Sequence, residues 1–211
     1  MPNKEHRFNL AEAAIAERLR HTHQEKAAIS MDGDAGMYEN LPLRCAAVLI
    51  PLIRWKDEWH LVFTRRTDEV EHHKGQVSFP GGGCDLNETA PEETALREAW
   101  EEIGLRPKDV RLLGRLNDMV TITGYRVTPV VGVMPWPYEL RLEPAEVVRV
   151  FTIPLSWLAG RGNWEEQPYT PAGIPRPIPV VKYREYDGEL LWGVSARITL
   201  NFLFALGLIK K

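Results

Sequence analysis

The chain has 211 residues, 44% of them apolar and 26% charged, a make-up that supports an ordinary globular core without covalent staples. Its 26 basic and 29 acidic side chains leave a net charge of −3, which argues against a broad nucleic-acid-coating surface. Its two cysteines supply neither a disulfide scaffold nor a four-cysteine zinc site.

The polar start of the chain lacks a signal-peptide core, and its most apolar stretch, Leu200–Ile209, is about half a membrane span. A soluble, cytoplasmic protein with no membrane partner is expected. Leu10, Ala14 and Leu19, set among charges, predict a helix from about Phe8 to Ile29. Asp32-Gly33-Asp34-Ala35-Gly36 then reads as a linker, so residues 1–36 are an N-terminal helical extension and 37–211 the main domain. The apolar run within Arg44–Ile53 predicts a buried central strand. A charged turn, Lys56-Asp57-Glu58, leads into a second strand over Trp59–Arg66, giving a hairpin. Strand alternation places Thr64 and Arg66 on one face and Arg65 on the other.

After Pro91 the period changes to that of an amphipathic helix over Glu92–Ile103, with Ala95, Ala99 and Ile103 on its apolar face. Thr89 or Ala90 stands at the cap, Pro91 suits the first helical position and Gly104 the stop. Strands are expected around Val110–Leu116, Arg126–Met134 and Val147–Phe151, and a short helix over Pro154–Leu158. Five prolines between Pro168 and Pro179 predict an extended loop. A hairpin (Val180–Tyr186 with Glu189–Trp192) and a helix from Ser195 to about Leu206 end the chain. The apolar face of that helix suits either the core or a homodimer contact. The order of elements gives a mixed α/β (α+β) fold.

Chemistry concentrates in Phe79-Pro80-Gly81-Gly82-Gly83 and the helix that follows. Glu98 and Glu102 lie four apart on one helical face, with Glu101 three from Glu98. Such carboxylates repel one another, and a hard cation such as Mg²⁺ or Mn²⁺ would cancel the repulsion. Arg97, four before Glu101, is placed to orient a carboxylate. A solvated acidic helix face is the competing reading, and a Gly-rich loop that brings backbone N–H groups near an anion shifts the balance toward a site.

The ordered string Arg97-Glu98-Ala99-Trp100-Glu101-Glu102-Ile103-Gly104-Leu105 resembles the Nudix hydrolase superfamily box, Gly-x5-Glu-x7-Arg-Glu-U-x-Glu-Glu-x-Gly-U, with Ala99 at the first apolar position U. The first half departs from the box. Counting back from Arg97 puts Thr89 at the glutamate and Gly83 at the glycine, whereas Gly82 and Glu88 keep the x5 spacing with one extra residue before Arg97. Upstream, Val62-Phe63-Thr64-Arg65-Arg66-Thr67, Gly75 and Phe79-Pro80-Gly81-Gly82 resemble the signature of the coenzyme A diphosphatase branch, Leu-Leu-Thr-x-Arg-[Ser/Ala]-x3-Arg-x3-Gly-x3-Phe-Pro-Gly-Gly, with Glu71 where the signature has arginine. Gly124–Val131 and Trp192–Ile198 also look like this branch, so the resemblance covers roughly residues 41–208.

The resemblance implies an α/β/α sandwich around a mixed sheet and hydrolysis of coenzyme A or its thioesters to 3′,5′-ADP and 4′-phosphopantetheine or its acyl derivative. It also implies Mg²⁺ or Mn²⁺ on Glu98, Glu101 and Glu102, with Arg97 in the catalytic set. Arg66, Lys74, Gly81, Gly82 and Arg126 would hold a CoA-like nucleotide. The rivals are another nucleoside diphosphate derivative (ADP-ribose, a dinucleotide, a nucleoside triphosphate) and a non-catalytic binding module. Elsewhere the plainer reading is preferred. His72-His73 and His21-x-His23 lack a third metal ligand, and Cys84 lacks a base partner. Trp136, Trp157, Trp164 and Trp192 fit core or interface anchors.

Overall fold

The computed structural model describes residues 8–24, 29–30, 42–67, 75–171 and 176–210. Its centre is the apolar run: β2 (Arg44–Trp55) and β3 (Glu58–Arg66) pair antiparallel from Trp55↔Glu58 to Leu52↔Leu61. Lys56 and Asp57 connect them with φ of 50° and 64°, the paired positive values a type I′ hairpin turn requires. Beyond Leu52 the strands part, and β5 (Gly81–Gly83) pairs with Ala46–Val48 of β2. On β2's other edge runs β8 (Tyr125–Val133), in parallel register from Arg44↔Tyr125 to Leu52↔Val133.

Shorter strands complete the mixed sheet. β4 (Val77–Ser78) and β9 (Val147–Pro154) flank β3, while β6 (Arg111–Arg115) and β7 (Met119–Val120) pair with β8. The two-residue β1 (Ile29–Ser30) adds in parallel to β7. Alternation sends Ile50, Leu52, Leu61, Phe63 and Val131 to one face. There they pack with Ile15 and Leu19 of α1 (Glu12–Gln24) and with Phe202 and Leu203 of α4 (Gly193–Ala205). Ala47, Leu49, Ile53, Val62 and Val130 face the other way, against Ala95, Ala99 and Ile103 of α2 (Pro91–Ile103). Helices therefore cover both faces, and the fold is the expected sandwich. The short α3 (Leu155–Leu158) sits where a short helix is predicted. No helix among the described residues is long and apolar enough to cross a membrane.

Several expectations need correction. The first helix is shorter than Phe8–Ile29, and Ile29 belongs to a strand. The linker at 32–36, and with it the expected 36/37 boundary, lies outside the described residues. The proline-rich stretch is not loop throughout. β10 (Trp164–Tyr169) and β11 (Ile178–Tyr183) form a two-stranded ribbon in which Pro168 faces Pro179. The amide of Tyr183, opposite Trp164, points away from β10 to the carbonyl of Leu191. By alternation the amides at 168 and 179 would also point outward, so proline costs the ribbon no hydrogen bond. The hairpin expected over 180–192 is reduced to two bridges, Lys182↔Trp192 and Tyr186↔Glu189. The apolar residues of α4 are spent in the core: Ile198, Leu200, Phe202 and Leu203 are all buried.

The turn at Lys56-Asp57 uses two residues that pay sterically for positive φ. Replacing them with Asn-Gly is expected to stabilise the protein by about 1 kcal/mol. Urea unfolding should show a higher midpoint with an unchanged slope.

Candidate active site

Helix α2 is set by its ends. Ala90 is an extended N-cap without a side-chain bond, and Glu93 takes over by accepting from the amides of Thr89 (2.7 Å) and Ala90 (3.4 Å). At the other end Gly104, with φ of 70°, is left-handed, and the amide of Leu105 donates to Ala99 O. Small residues on the buried face, Ala95 and Ala99, let the helix approach β2 and β5 closely. A Cβ at Gly82 would stand 2.5 Å from the Glu98 carboxylate, and one at Gly81 would strike Ala47 O at 2.5 Å. The glycines are thus what allow the carboxylate face of α2 to lie against the sheet.

Arg97 ties this face to the loop before the helix. Its Nη1 donates to Glu98 Oε1 (2.8 Å) and Glu101 Oε2 (2.9 Å), its Nη2 to Gly83 O (2.9 Å), and its Nε to Glu88 Oε1 (2.8 Å). The second oxygen of Glu88 accepts from Thr94 Oγ1 (2.6 Å) and from the amide of Asp85 (2.7 Å). The spacing of Glu88 to Arg97 is one residue off the box, yet the carboxylate, presented by the Asp85–Glu88 turn, still reaches Arg97. Those bonds hold the Glu88 carboxyl down at about 2, against an ordinary 4.5.

Glu102 has the opposite environment. It is 1% exposed, and neither carboxylate oxygen has a hydrogen-bond partner; the nearest cation is Arg66 Nη1 at 3.7 Å. Burial pushes its pKa up to about 8, opposed by Arg66 and more weakly by the backbone of Gly81, and reinforced by the charges of Glu98 and Glu146. Burial also raises Glu98, against its bond to Arg97. Glu146 is the residue that the sequence did not signal, since Glu143-Pro144-Ala145-Glu146 reads as an exposed turn. The amides of Arg141 and Glu143 bind the carbonyls of Ile103 and Glu102 at the end of α2. The carbonyl of Glu146 accepts from Thr67, so this loop brings a further carboxylate toward the site.

Among the described residues, no three acidic, histidine or cysteine side chains stand ready-made as a metal cage. Glu101 is 54% exposed and is turned aside to Arg97, not toward Glu102. The donor set nevertheless fits a hard divalent cation. A buried carboxylate with two unpartnered oxygens, next to a second raised carboxylate and Glu146, lacks the positive charge that would justify burying it.

The other predicted residues are placed unevenly. Arg66 faces α2 as alternation required, and Thr64 on the same face donates to Ser78 O (3.2 Å). Arg65 points the other way, 3.8 Å from Glu189. Arg126 is exposed on β8, beside Cys45 in register, and no ligand role follows from its position alone. Lys74, Glu71, His72 and His73 lie outside the described residues. The two cysteines, although too few for a scaffold, are joined to each other as a Cys45–Cys84 disulfide.

Glu88→Gln removes the charge while keeping the shape, and should lower stability at pH 7 by about 1–2 kcal/mol. Because the folded pKa lies below the unfolded one, this contribution is complete above about 4.5 and fades as pH falls toward 2. Urea midpoints of parent and variant should therefore differ at pH 7 and converge in acid.

The NUDIX domain family matches residues 43–172 of the chain. A protein of Escherichia coli O6:H1, described as an uncharacterized Nudix hydrolase, NudL, is 36% identical over 169 residues, covering 80% of this chain and 86% of that one. The corresponding protein of strain K12 is 35% identical with the same coverage. A MutT/nudix family protein from Enterococcus faecalis superposes with a TM-score of 0.51 at 14% identity, over 98% of this chain and 74% of that one, a likeness of fold. The Gly-rich strand, Arg97 and the glutamate face of α2 all fall inside the matched segment, and the chain belongs to the Nudix hydrolases, enzymes that cleave phosphoric anhydrides of nucleoside diphosphate derivatives and generally use divalent metal ions.

Proposed function

We propose that this hydrolase acts on coenzyme A or acyl-CoA, releasing 3′,5′-ADP and 4′-phosphopantetheine or its acyl derivative. The observation that carries the reading is Arg66. It comes from the signature strand β3 and lies 3.7 Å from the buried carboxylate of Glu102, so that a guanidinium stands against the glutamate face of α2. The rest of the signature supports that strand end. Gly75 donates to Thr67 O, Arg66 N to Gln76 O, and Phe79 stacks on Phe63 at 4.7 Å.

In this reading Glu98, Glu101, Glu102 and Glu146 hold Mg²⁺ or Mn²⁺, which supplies charge neutralisation on the diphosphate and a more acidic water. Arg97 keeps Glu98 and Glu101 oriented, and Gly81 and Gly82 keep the loop close enough for phosphate oxygens to approach. Arg66 binds a phosphate oxygen, while Lys74 and Arg126 add positive charge for a ligand that carries a 3′-phosphate besides its diphosphate. Water adds at phosphorus, the P–O–P bond breaks, and the proton leaving the water passes to a carboxylate of the cluster.

Turnover of coenzyme A, acyl-CoA, dephospho-coenzyme A, ADP-ribose, NADH and dNTPs in Mg²⁺ and in Mn²⁺ tests the reading. Coenzyme A should lead in kcat/KM, by about tenfold or more over ADP-ribose, the equivalent of one charge-assisted contact. ADP-ribose leading by that margin overturns the coenzyme A assignment, and no turnover of any substrate points to a binding module. Glu101→Gln or Glu102→Gln should each lower kcat by ~10²-fold or more. Arg66→Ala should instead act mainly on KM, raising it roughly tenfold.

A further inference from the structure

We infer that Cys45 and Cys84 form a thiol–disulfide exchange site through which a dithiol reductant sets the geometry of the active-site loop. β5 pairs with β2 as Ala46↔Gly83, Ala47↔Gly82 and Val48↔Gly81, and the disulfide continues that ladder by one position, with Cys84 N donating to Cys45 O at 3.1 Å. The bond therefore closes the open end of the Gly-rich ladder. The next residue back, Gly83, gives its carbonyl to Arg97 Nη2, and Arg97 holds Glu88, Glu98 and Glu101. One covalent link thus sits a single residue from the group that orients the carboxylates.

The pair is reachable: Cys45 is exposed and Cys84 half-buried. In the parallel register of β2 and β8, Arg126 is the partner of Cys45, so the two share a face about 5 Å apart at Cα. No ion pair engages the Arg126 side chain among the described residues, and a guanidinium beside a thiol favours the thiolate. In the reductive step a thiolate of the reductant attacks Cys45 Sγ, the S–S bond breaks, and Cys84 leaves as a thiolate that takes a proton. The reductant's second thiol then attacks the mixed disulfide, releasing Cys45 as a thiolate beside Arg126. Two electrons pass to the protein with one proton at Cys84, the second proton of the dithiol goes to solvent while Cys45 stays a thiolate, and the reductant becomes a disulfide. In reverse, with a small-molecule disulfide as oxidant, Cys45 is the nucleophile and Cys84 resolves.

Breaking the bond leaves the Cys84–Cys45 backbone pair without its covalent clamp and loosens the anchor of Arg97 at Gly83. The effect on catalysis rests on the reading of α2 as the active face, and the thiol chemistry does not. The full chain is treated with dithiothreitol or with oxidised dithiothreitol, trapped by alkylation, and its free thiols counted by mass. The count should move reversibly between none and both cysteines. Reduction should lower kcat/KM on the best substrate of the panel by about 3- to 10-fold, as small displacements of orienting groups do. It should also weaken Mn²⁺ binding and speed hydrogen exchange over residues 81–90. Cys45→Ser/Cys84→Ser should behave as the reduced form under both conditions, and Arg126→Gln should slow reoxidation, read by thiol count alone, without changing the number of free thiols at either end point. A pair that cannot be oxidised overturns the proposal. So does a reduced protein whose turnover, Mn²⁺ affinity and loop exchange equal those of the oxidised one. Should no substrate be turned over, the thiol count, Mn²⁺ titration and exchange still decide this proposal apart from the coenzyme A reading.

Discussion

A guanidinium with four hydrogen-bonding partners organises the glutamate-bearing end of the molecule. Arg97 reaches the loop through Glu88, the sheet through the carbonyl of Gly83, and its own helix through Glu98 and Glu101. Each contact alone is modest in water, but a planar fork that satisfies several acceptors loses less entropy per bond than separate side chains would. The helix, the Gly-rich strand and the preceding loop therefore meet at a single side chain. Lysine at this position would keep the charge and lose the geometry.

Opposed to this order stands a cost. Glu102 is buried with both carboxylate oxygens lacking a well-formed hydrogen bond, in the field of Glu98 and Glu146, and Arg66 and the Gly81 backbone offset it only in part. A protein selected for stability alone would place an apolar or neutral side chain there. The sheet tolerates the arrangement because the core beneath α2 is otherwise continuous, from Ala47 and Leu49 through Ala99 to Ile103. Carboxylates that are costly without a cation are suited to bind one, and the strain in the site and its chemistry have one origin.

Much of this was legible in the residue order, where local rules and tertiary demands agree. Pro91, Gly104 and the spacing of Ala95, Ala99 and Ile103 mark α2 to within a residue. Periodicity also puts Glu98 and Glu102 on one face, but it does not distinguish a half-buried carboxylate hydrogen-bonded to arginine from a buried one that meets an arginine only at 3.7 Å. That difference is set by Gly81 and Gly82 packing from another strand. Residue counting leaves Glu88 one place off its motif and cannot show that its carboxylate still meets the Arg97 guanidinium. Glu146 and the cysteine pair depend on contacts distant in sequence, created by the loop that caps α2 and by the β2–β5 register. The prolines of β10 and β11 predict loop by a rule that fails where their amides would have faced away from the partner strand.

Those same prolines bear on how the protein behaves when crowded. A two-stranded ribbon on the outside of a molecule offers free amides along both margins, an invitation to a passing extended chain. In β10 and β11 both margins lack a donor at the same level, where Pro168 lies across from Pro179. An incoming strand would meet a gap on either side and two rigid rings instead of a continuous row of hydrogen bonds. The ribbon can close over the core without becoming a seed for aggregation.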